Sequence, residues 1–320
     1  MSVRHLLGVR RLDTIQIQEL IEVSAEFRRR MKAGEALPQF PGKVAGLLFF
    51  EGSTRTRVSF ERAAFALGIQ VTNFTGQGSS MAKGETLRDT ILTLRQELLD
   101  TIVVRHPSCG SPQLVADFFR RPVINAGDGE HEHPTQALGD ALTILLRKGR
   151  IQGLTVAIVG DVMHSRVARS NAWLLSKLGA KVRFVGPNTL LPSNCALLPG
   201  EPYFKLSEGL EGADVVMCLR LQKERMAQGL LSSIGEYRRL YQVNERTLRP
   251  AAKDVIVMHP GPINRGVELD DATADGPRSV ILDQVESAVY TRAAVLFWAL
   301  GGDPDAVLDG ATSVFEEAEA

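Results

Sequence analysis

The sequence predicts an α/β protein built of two doubly wound parallel-sheet domains. Three observations carry this. A length of 320 residues is enough for two ordinary hydrophobic cores. Short apolar runs alternate with amphipathic stretches from end to end, the pattern of β/α units. Several of the runs are continuously apolar, as strands covered on both faces by helices must be.

The expected strands, in order, are Val44–Phe50, Thr101–Val104, Val123–Asn125, Thr155–Val159, Val182–Val185, Val215–Leu219 and Val255–Met258. Among the helices, Thr54–Leu67 places Phe60, Ala63, Ala64 and Leu67 on one face, and Gly68 ends it. Thr135–Arg147 does the same with Leu138, Ala141, Leu142 and Leu145. A third helix, His164–Leu178, follows the run TVAIVGD and stops before Gly179. The Pro- and Gly-rich stretch Leu191–Pro202 reads as a loop. Lys148–Gly153 is polar and bounded by glycine, which puts a domain junction near it, with domains at 1–148 and 149–300.

Composition removes several function classes. Lys plus Arg equals Asp plus Glu at 37 each, so no net field draws the chain to nucleic acid or to a membrane surface. Three cysteines, Cys109, Cys195 and Cys218, form no CxxC pair, which fits a reducing compartment and neither a disulfide frame nor a zinc site. The opening MSVRHLLGVRRLD lacks the apolar core of a signal peptide. No apolar stretch approaches the ~18 residues that span a bilayer. The expected location is the cytoplasm.

The strongest local chemistry lies in FFEGSTRTRVSFERAA, residues 49–64. Ser53 falls at a helix N-cap, and Arg55 and Arg57 in the first turn, where each cation opposes the helix dipole by about 0.3–1 kcal/mol. This is either a solvated helix start with incidental arginines or a seat for a multiply charged anion. The hydroxyls of Ser53, Thr54 and Thr56, interleaved with the arginines, favour a phosphate cradle. Neither GxxxxGK[ST] nor a GxGxxG after a strand occurs, so ATP and NAD are poor candidates.

In His133-Pro134-Thr135-Gln136, Pro134 suits the first helical position, and His133 and Gln136 then converge on the helix start. The pair is either a cap with a surface amide or a grip on a polarised carbonyl oxygen. His131 and His133 lack further ligands at metal-site spacing. Arg105 directly follows the run TIVV, and Arg220 and Gln222 follow VVMCL; ligands of α/β folds bind past such strand ends, although each arginine taken singly also suits an ion pair. Arg166 repeats the first-turn oddity of Arg55, and with Arg220 it would suit a dicarboxylate. Lys83 lies in GQGSSMAKGE beside Ser79 and Ser80, a basic hydroxyl-bearing loop that is either an exposed turn or a lid over an anion.

Taken in order, STRTR (53–57), SSMAKGET (79–86), RHP (105–107), HPTQ (133–136), HSR (164–166), RLQKER (220–225) and HPGPINRGVEL (259–269) resemble the catalytic chains of the aspartate carbamoyltransferase family. The likeness runs from about Arg11 to Leu300. STRTR and HPTQ are shared with ornithine carbamoyltransferases. Those enzymes carry a Cys in HCLP, where this chain has Pro260-Gly261, so RLQ and HPGP imply aspartate as the second substrate.

The resemblance implies an active site between the two domains, with a C-terminal helix at about 285–312 returning to the first. It implies that Ser53, Thr54, Arg55 and Thr56 hold the phosphate of carbamoyl phosphate and that Arg105 bridges phosphate and carbonyl oxygens. It implies that His133 and Gln136 contact the carbamoyl group beside Gly261 and Pro262, and that Arg166, Arg220 and Gln222 grip aspartate. Ser79 and Lys83 would come from the neighbouring chain of a homotrimer, to which regulatory or dihydroorotase-like chains could bind. No metal or organic cofactor is implied, and the product would feed pyrimidine synthesis. Two departures stand out. Gly52 replaces the family's usual Pro, which loosens that turn, and HEHPTQ carries more charge before the histidine than the family pattern has.

Overall fold

The computed structural model describes residues 3–75, 84–192, 197–222, 229–231 and 233–315. Ser79, Ser80, Lys83 and Cys195, and residues 223–225 of the RLQKER motif, lie outside them. The chain divides into two compact units, Met1–Leu142 with Val285–Ala320, and Thr143–Gln284.

In the first unit, α1 (Thr14–Ala33) starts with a reciprocal capping box between Asp13 and Gln16 and stops at Gly34 in the left-handed conformation. Next come β1 (Val44–Phe49), α2 (Thr54–Ala66), β2 (Gln70–Thr75), α3 (Leu87–Gln96), β3 (Thr101–His106), α4 (Ser111–Phe119), β4 (Val123–Asp128) and α5 (Pro134–Lys148). The sheet is parallel in the order β2-β1-β3-β4, with Val44 opposite Gln70, Ala45 opposite Thr101 and Ile102 opposite Val123. One layer of core joins Leu48, Ile102 and Val104 of the sheet to Ile91 and Leu94 of α3 and Val115 and Phe119 of α4. From Val285 the chain belongs to this unit again: Phe297 stands edge-on to Phe27, ring centroids 5.5 Å apart.

The second unit runs β5 (Thr155–Val159), α6 (Arg166–Lys177), β6 (Lys181–Val185), β7 (Glu201–Tyr203), α7 (Leu206–Leu210), β8 (Val215–Cys218), α8 (Ile234–Tyr241), β9 (Ile256–Met258) and α9 (Asp271–Ala274). Its sheet is parallel in the order β7-β6-β5-β8-β9. Ala157, Val159, Val216, Cys218 and Val257 pack with Leu206, Leu210, Tyr237 and Tyr241. The chain ends through α10 (Ile281–Ala299) and α11 (Pro304–Leu308). No helix among the described residues is long and apolar enough to cross a membrane.

Each expected strand forms within a residue or three of its expected ends, but two strands were not legible. Both lie at sheet edges. QVTNFT of β2 mixes polar and apolar residues, and EPY of β7 begins inside the stretch read as a loop. An edge strand needs only one paired side and a half-covered face, so it shows no continuous apolar run. A further correction concerns α6, which begins at Arg166 and not at His164, because the Ser165 hydroxyl accepts the Ala168 N–H and caps the helix there.

Candidate active site

A doubly wound sheet opens a crevice at the carboxyl ends of the two neighbouring strands whose following connections leave in opposite directions. In the first unit these strands are β1 and β3. Ser53, in extended conformation, precedes α2 and makes no capping hydrogen bond with its side chain. The first-turn N–H groups of α2 therefore keep their donor capacity for an anion. Thr54 and Arg55 are exposed there, while Thr56 is buried. Desolvation holds Arg55 below the ordinary arginine value. Inside the same turn, the Ser59 hydroxyl bonds the carbonyls of Arg55 and Thr56 at 2.9 and 3.0 Å, pinning the backbone that carries both.

Arg105 sits near the end of β3. Its Nη1 donates to the Ala126 carbonyl of β4 at 3.4 Å, and its Nε lies 3.3 Å from Glu51 Oε2 in the β1–α2 turn. The guanidinium is thereby held across the carboxyl ends of β1, β3 and β4. At the end of β4, Asp128 fixes the approach to His133. Its buried carboxylate accepts from Gly110 N at 2.8 Å, Asn125 Nδ2 at 2.8 Å, His131 Nδ1 at 3.0 Å and Glu132 N at 3.2 Å. Burial pushes Asp128 up, but these hydrogen bonds outweigh it and leave the group below the ordinary carboxylate range.

His133 is 4% exposed and its carbonyl accepts from Gln136 N and Ala137 N at 3.0 and 3.2 Å, opening α5 with Pro134 in the first position. Gln136 Nε2 donates to Asp140 Oδ1 at 2.8 Å, an i,i+4 pair that turns the amide oxygen into the accepting end. Asp140 is fully buried and interacts electrostatically with Arg292 of α10, itself 2% exposed. Arg292 Nη1 donates to the Ser59 hydroxyl and its guanidinium lies 5.3 Å from the Phe60 ring centroid. One buried cation thus bonds α2 at Ser59 and faces α5 at Asp140.

In the second unit the crevice strands are β5 and β8. Gly160 follows β5 with φ +129°, and a Cβ there would come within 3.1 Å of the Leu219 carbonyl oxygen, so only glycine fits. Asp161 follows, fully buried. Its Oδ1 accepts from His164 N at 3.2 Å and pairs with His164 Nδ1 at 2.8 Å, and the Gln222 backbone N–H also bonds this carboxylate. Burial raises Asp161 above the ordinary carboxylate range despite these partners. Arg166 opens α6 and is 6% exposed; Arg220 and Gln222, both half-buried, follow β8.

After β9, His259 Nδ1 accepts the Gly261 N–H at 2.8 Å, which leaves the proton on Nε2, facing Glu268 Oε1 at 3.2 Å. The Asn264 N–H donates to the same oxygen at 2.6 Å. The turn bearing Gly261 and the exposed Pro262, joined by a cis peptide bond, is fixed from both ends.

Every described candidate residue therefore lies at a strand's carboxyl edge. Ser53, Thr54, Arg55, Thr56, Arg105, His133 and Gln136 follow or end β1, β3 and β4; Arg166, Arg220, Gln222, Gly261 and Pro262 follow β5, β8 and β9. The first set offers cations, hydroxyls and a helix start suited to a phosphoryl group. The second offers guanidinium forks suited to carboxylates. Sequence reasoning missed Glu51, Ser59, Asp128, Asp140 and Arg292. Two had a usable signal: Asp140 stands four residues after Gln136, and Arg292 is a lone charge inside the apolar run AVYTRAAVLFWAL.

Residues 4–145 match the carbamoyl-P binding domain of aspartate/ornithine carbamoyltransferase, and residues 152–299 match the Asp/Orn binding domain. The chain is 50% identical over 308 residues to the aspartate carbamoyltransferase catalytic subunit of Chelativorans sp. (strain BNC1), covering 96% of each chain. In structure it is similar to Trypanosoma cruzi aspartate transcarbamoylase in complex with carbamoyl aspartate and phosphate, with TM-score 0.85, 33% identity, and coverage of 92% of this chain and 96% of that one. Ornithine carbamoyltransferase from Pyrococcus furiosus superposes with the same TM-score, 0.85, at 30% identity, covering 94% of this chain and 98% of its own. The overall backbone shape thus does not separate the two activities.

Proposed function

The chain belongs to the aspartate/ornithine carbamoyltransferase family, and on that premise we propose how its residues divide the work of the reaction. It is an aspartate carbamoyltransferase, which moves the carbamoyl group of carbamoyl phosphate to L-aspartate and yields N-carbamoyl-L-aspartate and phosphate. The observation that carries the assignment of roles is the sorting of side chains at the two crevices: hydroxyls and arginines for a phosphate in one unit, Arg166 and Arg220 for two carboxylates in the other.

In this reading Ser53, Thr54, Arg55 and Thr56 bind the phosphate, and Arg105 spans phosphate and carbonyl oxygens. His133 donates to the carbamoyl oxygen, Gln136 accepts from the carbamoyl NH₂ through its Oε1, and Gly261 and Pro262 flank that amide. Arg166, Arg220 and Gln222 hold aspartate. The neutral amine of aspartate attacks the carbamoyl carbon, forming the C–N bond and a tetrahedral oxyanion stabilised by His133, Arg105 and Thr56. The C–O bond to phosphate then breaks, and the departing phosphate accepts the amine proton. Positioning and charge stabilisation suffice for this sequence. The reading extends to a cytoplasmic homotrimer that supplies pyrimidine synthesis, with Ser79 and Lys83 reaching the site of the adjoining chain.

Phosphate release and product identity, measured with carbamoyl phosphate and a panel of amines, test the assignment. L-Aspartate should be required, and citrulline formed from L-ornithine at a comparable rate would overturn it. His133→Ala should lower kcat by about 10²–10³, the usual loss for one oxyanion donor. A near-normal kcat would return His133 to a helix-start role.

A further inference from the structure

The extra charge in HEHPTQ is Glu132, and it does not face solvent. It is 4% exposed, and its carboxylate accepts the Val9 N–H at 2.7 Å and the Arg10 N–H at 3.4 Å, across 123 and 122 residues of sequence. The approach is close: a Cβ on Gly8 would lie 2.4 Å from Glu132 Oε1. Leu6 and Leu7, just before Gly8, are fastened to the sheet edge. Leu6 N donates to the Val123 carbonyl at 2.9 Å, Asn125 N donates to the Leu6 carbonyl at 2.8 Å, and Asn125 Nδ2 donates to the Leu7 carbonyl at 2.9 Å. The side chain of Glu132 is therefore anchored to a segment that runs as an added edge beside β4, while its own N–H is held by Asp128 at 3.2 Å. The next residue is His133.

We propose that Glu132 is a positioning residue: it clamps the Gly8–Arg10 segment against the start of α5 and so sets the placement of His133 toward the carbamoyl oxygen. The inference rests on the role given to His133 above. A carboxylate suits this task because one group takes both amide N–H donors, and charge-assisted bonds are stronger than neutral ones. Gly8 is part of the same device, since any side chain there would displace the carboxylate.

The test uses the full-length enzyme with Glu132→Ala, Glu132→Gln and Gly8→Ala, each alone, and Glu132→Ala again in a His133→Ala background. Steady-state kcat and both KM values are measured on protein whose folding is checked by its thermal transition. Misplacing a reacting group by about 1 Å can cost on the order of 10² in rate, so Glu132→Ala should lose about tenfold or more in kcat with little change in the aspartate KM. Glu132→Gln, which keeps an acceptor oxygen, should recover most of that loss, and Gly8→Ala should reproduce it from the other side of the contact. In the His133→Ala background, Glu132→Ala should cost nothing more, because the group it positions is gone.

A folded Glu132→Ala enzyme with wild-type kcat, or an equal loss in both backgrounds, would overturn the inference. If Glu132→Ala does not fold, Gly8→Ala decides by the same criteria, alone and in the His133→Ala background. A His133→Ala enzyme with normal kcat would remove the reading of His133 and the clamp with it. An inactive His133→Ala beside a fully active Glu132→Ala would remove the clamp alone.

Discussion

Arg292→Met tests the buried cation that lies between α2 and α5 of the first unit. Methionine is close in length and fills the space beside Phe60, but it removes the charge that faces Asp140 and the donor to Ser59. Asp140 is fully buried and also accepts from a neutral amide, Gln136 Nε2 at 2.8 Å. Removing the cation that faces this buried carboxylate weakens its compensation, at a cost of about 3–5 kcal/mol. For a unit of this size each kcal/mol shifts the transition by about 2–4 °C, so Tm should fall by about 6–20 °C at neutral pH. Calorimetry on the purified variant measures it. The double variant Arg292→Met with Asp140→Asn should regain at least half of the loss, because it deletes the charge that Arg292 faces and still accepts from Gln136. A fall of less than about 1 kcal/mol, or a double variant no more stable than the single one, would refute the argument that charge compensation holds this site.

Asp161 gives a pH signature. Burial holds its folded value above the ordinary carboxylate value, so its ionisation costs the fold stability, and that loss develops as pH rises from the unfolded value through the folded one. Asp161→Asn, uncharged throughout, should therefore gain in Tm relative to wild type across that window and keep the gain above it; parallel Tm–pH curves would contradict this. The proposed sharing of a site between chains of a homotrimer is tested by mixing Arg55→Ala and Lys83→Ala protein. Each parent should be nearly inactive, and random reassembly should return about one quarter of wild-type activity, since a closed ring restores one intact site in every mixed trimer. Native mass spectrometry must show mixed trimers, and their inactivity would confine Lys83 to its own chain.

Much of the candidate site was legible in the sequence because its residues stand at fixed offsets from apolar runs. Arg105 ends TIVV, STRTR follows VAGLLFF, and Arg220 follows VVMCL, so knowing where each strand stops already locates the side chain. The structure then adds what holds those side chains in place. Asp128 gathers Gly110, Asn125, His131 and Glu132, and Glu51 holds Arg105; nothing in the spacing of these residues announces the arrangement.

The sequence by itself determined the central strands, the helix starts at Ser53 and Pro134, and the positions of the candidate arginines just past strand ends. Each of these follows from local periodicity, capping chemistry and short motifs, which act over a few residues. The tertiary structure alone decided the strand order in each sheet, the edge strands β2 and β7, and the partners of Arg292 and Glu132. Arg292 meets Ser59 across 233 residues, and Glu132 meets Val9 across 123. Such contacts arise only when distant segments pack on a common sheet, where a buried charge must find its partner wherever the chain brings one.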